Sequence, residues 1–155
     1  MIVVADTSPI CYLILIGEIK VIYSLFDSLY LPQAVYDELN DEGTPQVVKE
    51  WLQQLPQQVR VIASSEIKVA SLSHLHRGEY EAILLAEIIK AELIIIDEKA
   101  GRKSAKQRGL NVTGLLGILK LASNKNLINF TTAIEQLKAT NFRVSSSLLQ
   151  SLLEQ

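Results

Sequence analysis

LIIIDEKAGRKSAKQRG, residues 93–109, is the stretch on which the reading of this chain turns. Four apolar residues, Leu93 to Ile96, run straight into two carboxylates, Asp97 and Glu98, and then into five cations within ten residues. A continuous β-branched run suits a strand buried on both faces. The basic segment after it reads as a helix, with Gly109 just past its end where a left-handed cap is commonly needed. A core strand that ends in acid and turns at once into a basic helix has two readings. Either carboxylates form a metal site with cations ready for phosphates, or a solvated strand end precedes a solvated helix.

Working outward, similar short runs recur at IVVA (2–5), LYL (29–31), VRVI (59–62) and NVT (111–113), with helical periodicity between them. This alternation predicts an α/β fold, a mostly parallel sheet with helices on both faces. After NVT the pattern is helical throughout, in GLLGILKLA (114–122), TTAIEQLKA (131–139) and SSSLLQSLLEQ (145–155). Pro32 opens a helix after the second strand, where a missing N–H costs least, and Thr44-Pro45 starts the next in the same way. Gly78 precedes a periodic helix with Ala82, Ile83, Ala86 and Ile89 on one face. No repeat or linker divides the 155 residues, so one domain spanning 1–155 is expected, with 114–155 as its closing helices.

Apolar residues make up 48% of the chain and charged residues 21%, the balance of a globular protein. The net charge of -2 excludes a global basic field, so a nucleic-acid partner would be held by a local patch. The single cysteine, Cys11, excludes an internal disulfide framework and a multi-cysteine zinc site. ICYLILI is far shorter than the roughly 20 residues of a membrane span, and no basic leader precedes it. A cytoplasmic protein is expected.

In open parallel sheets, ligands gather outside the carboxyl ends of strands, where strand order reverses. The first strand ends at Asp6 and the fourth at Asp97; in the order 3-2-1-4-5 these two would face each other across the reversal. Helical wheels, at about 100° per residue, select the acids that could join them. Glu38 lies about 60° from the core-seeking Val35, whereas Asp37 points nearly the opposite way. Glu79 shares the face of Ala82, Ile83 and Ala86, and Glu81 points away from it. Each acid has a plainer reading too: Asp6 as a loop cap, Glu38 as a surface acid, and Glu79 as a first-turn residue favoured by the helix dipole. Together, however, four such carboxylates repel strongly unless protonated or neutralised. Oxygen donors without a Cys or His set favour Mg²⁺ or Mn²⁺ over zinc. His74 and His76 read as surface residues. Lys99, Arg102, Lys103 and Lys106, at i, i+3, i+4 and i+7, form one helical stripe that is either a solvated face or a phosphate-binding surface.

The ordered set VVADTSP, LPQAVYDEL, GEYEAILLAE and LIIIDEKAGRKSAKQRGLNVTG resembles the PIN-domain family of metal-dependent nucleases, especially members similar to VapC toxins. The resemblance covers residues 2 to about 120, and the closing helices look like a PIN-like subgroup of little assigned function. It implies a three-layer α/β/α sandwich and a ribonuclease that hydrolyses RNA phosphodiesters to a 5'-phosphate and a 3'-hydroxyl. Asp6, Glu38, Glu79 and Asp97 match the family's acids and would be catalytic and hold one or two Mg²⁺ or Mn²⁺ ions. Glu79 stands where the family more usually has Asp. Thr7 and Ser8 match its supporting hydroxyls, and Glu98 is either a supporting acid or solvated. A small protein antitoxin is the implied partner. A homodimer is also expected, through helices that leave Tyr12, Leu25 or Phe26 exposed, unless these are core.

Other classes fit less well. A phosphoacceptor receiver needs a Lys after its fifth strand, where this chain has VTGLLG. Neither GxGxxG nor GxxxxGK[ST] occurs, which excludes the usual nucleotide-binding loops. The strongest rival is a catalytically weak PIN-like module that binds RNA or a protein partner.

Overall fold

Side chains on a strand alternate between its two faces, so the two faces of a buried strand feed two separate cores. The computed structural model, which describes residues 1–63, 68–144 and 146–153, shows this division. Val3, Ala5, Leu29, Leu31 and Ile95 enter one apolar cluster, while Val4, Ile94 and Ile96 enter the other. The strands are β1 (Ile2–Ala5), β2 (Ser28–Pro32), β3 (Val59–Ile62), β4 (Leu93–Ile95) and β5 (Val112–Thr113). All pair in parallel, in the order β3-β2-β1-β4-β5. That is the expected order, and strand order reverses between β1 and β4.

Helices cover both faces and make the predicted α/β/α sandwich. On the first cluster lie α1 (Thr7–Leu15), α2 (Lys20–Leu25), α4 (Gln46–Gln53), α7 (Leu115–Asn124) and α8 (Phe130–Lys138), together with Val35 and Leu39 of α3 (Gln33–Leu39). On the second lie α5 (Arg77–Ile88), through Ala82, Ile83 and Ala86, and α6 (Lys99–Gln107), through Ala105. The last helix, α9 (Ser146–Leu153), packs Leu149 and Leu152 against the first cluster. Of its predicted span, Ser145, Glu154 and Gln155 lie outside the described residues.

Local signals place most boundaries. Pro32 ends β2 and is the N-cap of α3, and Pro45 has the same place before α4. Gly109, at φ +81°, receives the chain leaving α6 in the left-handed region that glycine adopts without a Cβ clash. One boundary shifts: α5 begins at Arg77, so Gly78 lies inside its first turn. Of the residues weighed as dimer face or core, Phe26 is 4% exposed and belongs to the core, and Tyr12 and Leu25 are half-buried against it. Among the described residues no helix is long and apolar enough to cross a membrane.

Candidate active site

The register pairs Ala5 with Ile95, so β1 and β4 end side by side, and the Asp6 amide donates to the Ile95 carbonyl at 2.9 Å. Asp6 is the N-cap residue of α1, yet its side chain makes no capping hydrogen bond. The carboxylate is only 2% exposed, and its Oδ1 is buried with no partner. Burial pushes its pKa up to about 7; the negative Glu79 and Glu38 add to this, and the Thr7 amide and His76 oppose it.

Glu38 reaches the same place from α3. Its Oε2 accepts a hydrogen bond from the Thr7 hydroxyl. A Cβ added at Gly78 would sit 2.7 Å from Glu38 Oε1 and 3.0 Å from Asp6 Oδ1, so a larger residue there would make the Glu38 carboxylate shift. One residue on, Glu79 is 3% exposed. His76 Nε2 lies 2.6 Å from its Oε1, while His76 Nδ1 is 4.0 Å from Glu38 Oε1. The other oxygen, Oε2, is buried without a partner at the α6 contact, where a Cβ on Gly101 would come within 2.5 Å of it. Burial raises the Glu79 pKa against the pull of His76.

Asp97 turns toward a different neighbourhood. Its Oδ1 accepts the Leu115 amide at 2.9 Å, at the start of α7, and its Oδ2 is a third buried oxygen with no partner. Burial raises its pKa, while the Leu115 amide and the Arg102 cation draw it down. Arg102 donates from Nη1 to the Ile96 carbonyl at 3.0 Å. Beside Asp97 opens a cavity of about 640 Å³ whose walls include Ser8, Tyr12, Glu98, Arg102 and, from the C-terminal segment, Asn141 and Arg143.

These contacts sort the expected residues by neighbourhood. The stripe of four cations divides: Arg102 folds back to the strand end, while Lys99, Lys103 and Lys106 are exposed and form no part of the cavity wall. The two hydroxyls divide as well, with Thr7 at Glu38 and Ser8 at the Asp97 cavity. Glu98 is an exposed residue at the rim. Glu81 does not face solvent; it is 9% exposed, accepting from the Ala34 amide at 3.3 Å and from Arg77 Nε at 2.9 Å. His76 is a surface residue as expected, exposed at its outer side, and its ring nitrogens also lie by Glu79 and Glu38. His74 Nε2 lies 3.3 Å from Ser104 Oγ.

Whether these residues suit a divalent ion is decided by donor chemistry and geometry. Carboxylate oxygens are the donors that Mg²⁺ and Mn²⁺ prefer, and three of them are buried without any partner, which is costly unless a cation arrives. The donors therefore fit in kind. As the side chains stand, no three His, Cys, Asp or Glu residues among the described residues converge on one point, so no closed cage is present.

A family model described as a PIN domain, DUF3368, matches residues 2–155. No curated protein matches the chain. Among solved structures, the chain is similar to a PilT N-terminus domain protein from the hyperthermophilic archaeon Sulfolobus solfataricus, at 20% identity and a TM-score of 0.55, over 76% of this chain and 90% of that one. At that identity the likeness speaks for the fold alone.

Proposed function

The chain belongs to the PIN-domain family, and from that premise we propose that it is a Mg²⁺- or Mn²⁺-dependent endoribonuclease, the toxin of a toxin–antitoxin module. PIN domains are nuclease-type folds, which carries the hydrolase class; the metal, the RNA substrate and the toxin role are our reading. One observation carries it: Asp6 Oδ1, Glu79 Oε2 and Asp97 Oδ2 are buried carboxylate oxygens with no hydrogen-bond partner, Asp6 and Asp97 following the neighbouring strands β1 and β4 where strand order reverses and Glu79 in the first turn of α5. Most buried carboxylate oxygens in folded proteins have a hydrogen-bond partner, so three without one call for an explanation.

In this reading Asp6, Glu38, Glu79 and Asp97 would hold the ion. A divalent ion bound there supplies a lowered pKa for a water and neutralises charge at the phosphate. Thr7 fixes the Glu38 rotamer through its hydrogen bond, and His76 braces Glu79 from the solvent side. Arg102, aimed by the Ile96 carbonyl, faces a phosphate beside Asp97. Water attacks phosphorus, the bond to the 3' oxygen breaks, and the products are a 5'-phosphate and a 3'-hydroxyl. Residues 1–155 act as one PIN-like unit in the cytoplasm, as a homodimer, restrained by a small protein antitoxin.

The open donor set favours a second reading, a PIN-like module that binds RNA or a protein without cutting. Cleavage of a structured RNA pool in Mn²⁺ or Mg²⁺, beside an Asp6→Asn, Asp97→Asn double variant and an EDTA control, separates the two. Cleavage that needs both the metal and the acids supports the enzyme. Equal inactivity of both proteins, with no Mn²⁺-dependent rise in Tm, supports the binding module.

A further inference from the structure

We propose that the cavity beside Asp97 is a nucleotide subsite, in which Tyr12, Asn141 and Arg143 hold one unstacked base of single-stranded RNA and its adjoining phosphate. The proposal rests on the ribonuclease reading and adds where the strand is gripped and by which part of the chain. The segment after α8 builds the outer wall, so the closing helices are part of the substrate site.

The cavity's volume, about 640 Å³, falls within the roughly 300–1,000 Å³ of small-molecule clefts. Its wall has three chemical characters. Asp97 and Glu98 form an acidic end, Arg102 and Arg143 contribute guanidinium groups from separate elements, and Tyr12, Phe142 and Leu148 supply aromatic and apolar surface. A nucleotide next to a scissile bond presents matching parts: the reacting phosphate, a flanking phosphate and a flat base.

The wall is held in register by Tyr12. Its hydroxyl donates to Asn141 Oδ1 at 2.6 Å, and its ring meets Phe142 edge-on with centroids 5.0 Å apart at 71°. Asn141 thus uses its oxygen to hold the wall and keeps its Nδ2 hydrogens for the acceptor edge of a base. Arg102 is anchored through Nη1, which leaves its other N–H groups for a phosphate. Arg143, exposed at the rim, adds the second cation that the α6 stripe does not bring to this side. A base paired and stacked in a duplex is not available to such a pocket, whereas a splayed base of a single strand is.

The test is fluorescence anisotropy with a labelled single-stranded RNA of about ten nucleotides and with the same sequence as a duplex, in EDTA so that nothing is cut. The proteins are wild type, Asn141→Ala with Arg143→Ala, Arg143→Gln alone, and Lys138→Ala, an exposed cation outside the cavity wall. The expected result is a loss of single-strand affinity of about tenfold in the double variant and about threefold in Arg143→Gln, with Lys138→Ala within about twofold of wild type. Duplex affinity changes by less than single-strand affinity. Wild-type binding that the double variant reproduces, equal losses on both RNAs, or no binding by wild type overturns the proposal. Arg143→Gln keeps the Tyr12–Asn141 contact intact, so a fall in its affinity is not a folding effect. Binding in EDTA is blind to cleavage, so a failed subsite and a failed nuclease reading give different results.

Discussion

Glu79 and Glu81 lie two residues apart on α5, and both are withdrawn from water, yet their surroundings differ in kind. Glu81 caps the start of α3 through the Ala34 amide and pairs with Arg77. Glu79 meets His76 on one side and leaves Oε2 buried with nothing to accept from. Burying a carboxylate costs several kcal/mol unless its lone pairs are met. Glu81 has its lone pairs met by the fold, whereas Glu79 keeps one carboxylate oxygen buried without a hydrogen-bond partner; in the proposed reading that oxygen is a ligand for a cation. Both acids are buried, so the contrast lies in their hydrogen-bond partners and not in burial.

The comparison breaks most readily on activity. Glu79→Gln is expected to lower metal-dependent RNA cleavage by about 100-fold or more, and Glu81→Gln to leave it within a few-fold of wild type. Equal losses would erase the distinction.

A second break comes from pH, through Asp6. Its folded pKa is about 7 against an ordinary 3.8. Between those values the native state holds a proton that the unfolded chain has released, so metal-free stability falls as pH rises through this window. The penalty is absent below the ordinary value and complete above the raised one; at about 1.4 kcal/mol per unit its ceiling is about 4 kcal/mol. Thermal melts in EDTA should show Tm falling from pH 5 to 8 in wild type, with a shallower slope in Asp6→Asn. Parallel slopes in the two proteins would mean that Asp6 titrates like an ordinary acid.

Metal binding sharpens the contrast further. Mn²⁺ at about 100 times its Kd should stabilise the wild type by about 2.7 kcal/mol, a rise in Tm of several degrees. Glu81→Gln should keep that rise and Glu79→Gln should lose most of it. A rise retained in Glu79→Gln would place the ion elsewhere.

The smallest effect tests the structural acid. Glu81→Ala strands the Ala34 amide and removes a partner of Arg77, at a cost of about 1–2 kcal/mol, seen as a lower Tm in urea-free melts. Glu79→Ala in EDTA should be neutral or stabilising, because it removes a buried acid that has one oxygen unpartnered and only an exposed histidine on the other. If both variants destabilise alike, Glu79 is structural as well.

Much of this was legible in one dimension. The β-branched runs and the acids that end two of them follow from period-two burial and from where parallel sheets leave their strand ends. The helical wheel separated Glu38 from Asp37, and the structure brings Glu38 to Asp6 around Gly78 while Asp37 stays solvated. The wheel failed for Glu81 because it measures direction from one stripe, and α5 touches more than one neighbour. Beside α3, the side away from the main stripe is buried too. The contact of His76 with Glu79 was not legible, because a histidine before a helix has no period to read.

By itself, then, the sequence determined the α/β class, the acids that follow two of its strands, and the glycine that ends α6, since these depend on residues close together in the chain. Only the tertiary structure decided which acids are satisfied and which orphaned, that Arg102 leaves its stripe, and that Asn141 closes a cavity against Tyr12, 129 residues away. Such contacts join segments whose meeting is set by the packing of whole layers, and no local pattern records which side chain arrives opposite which.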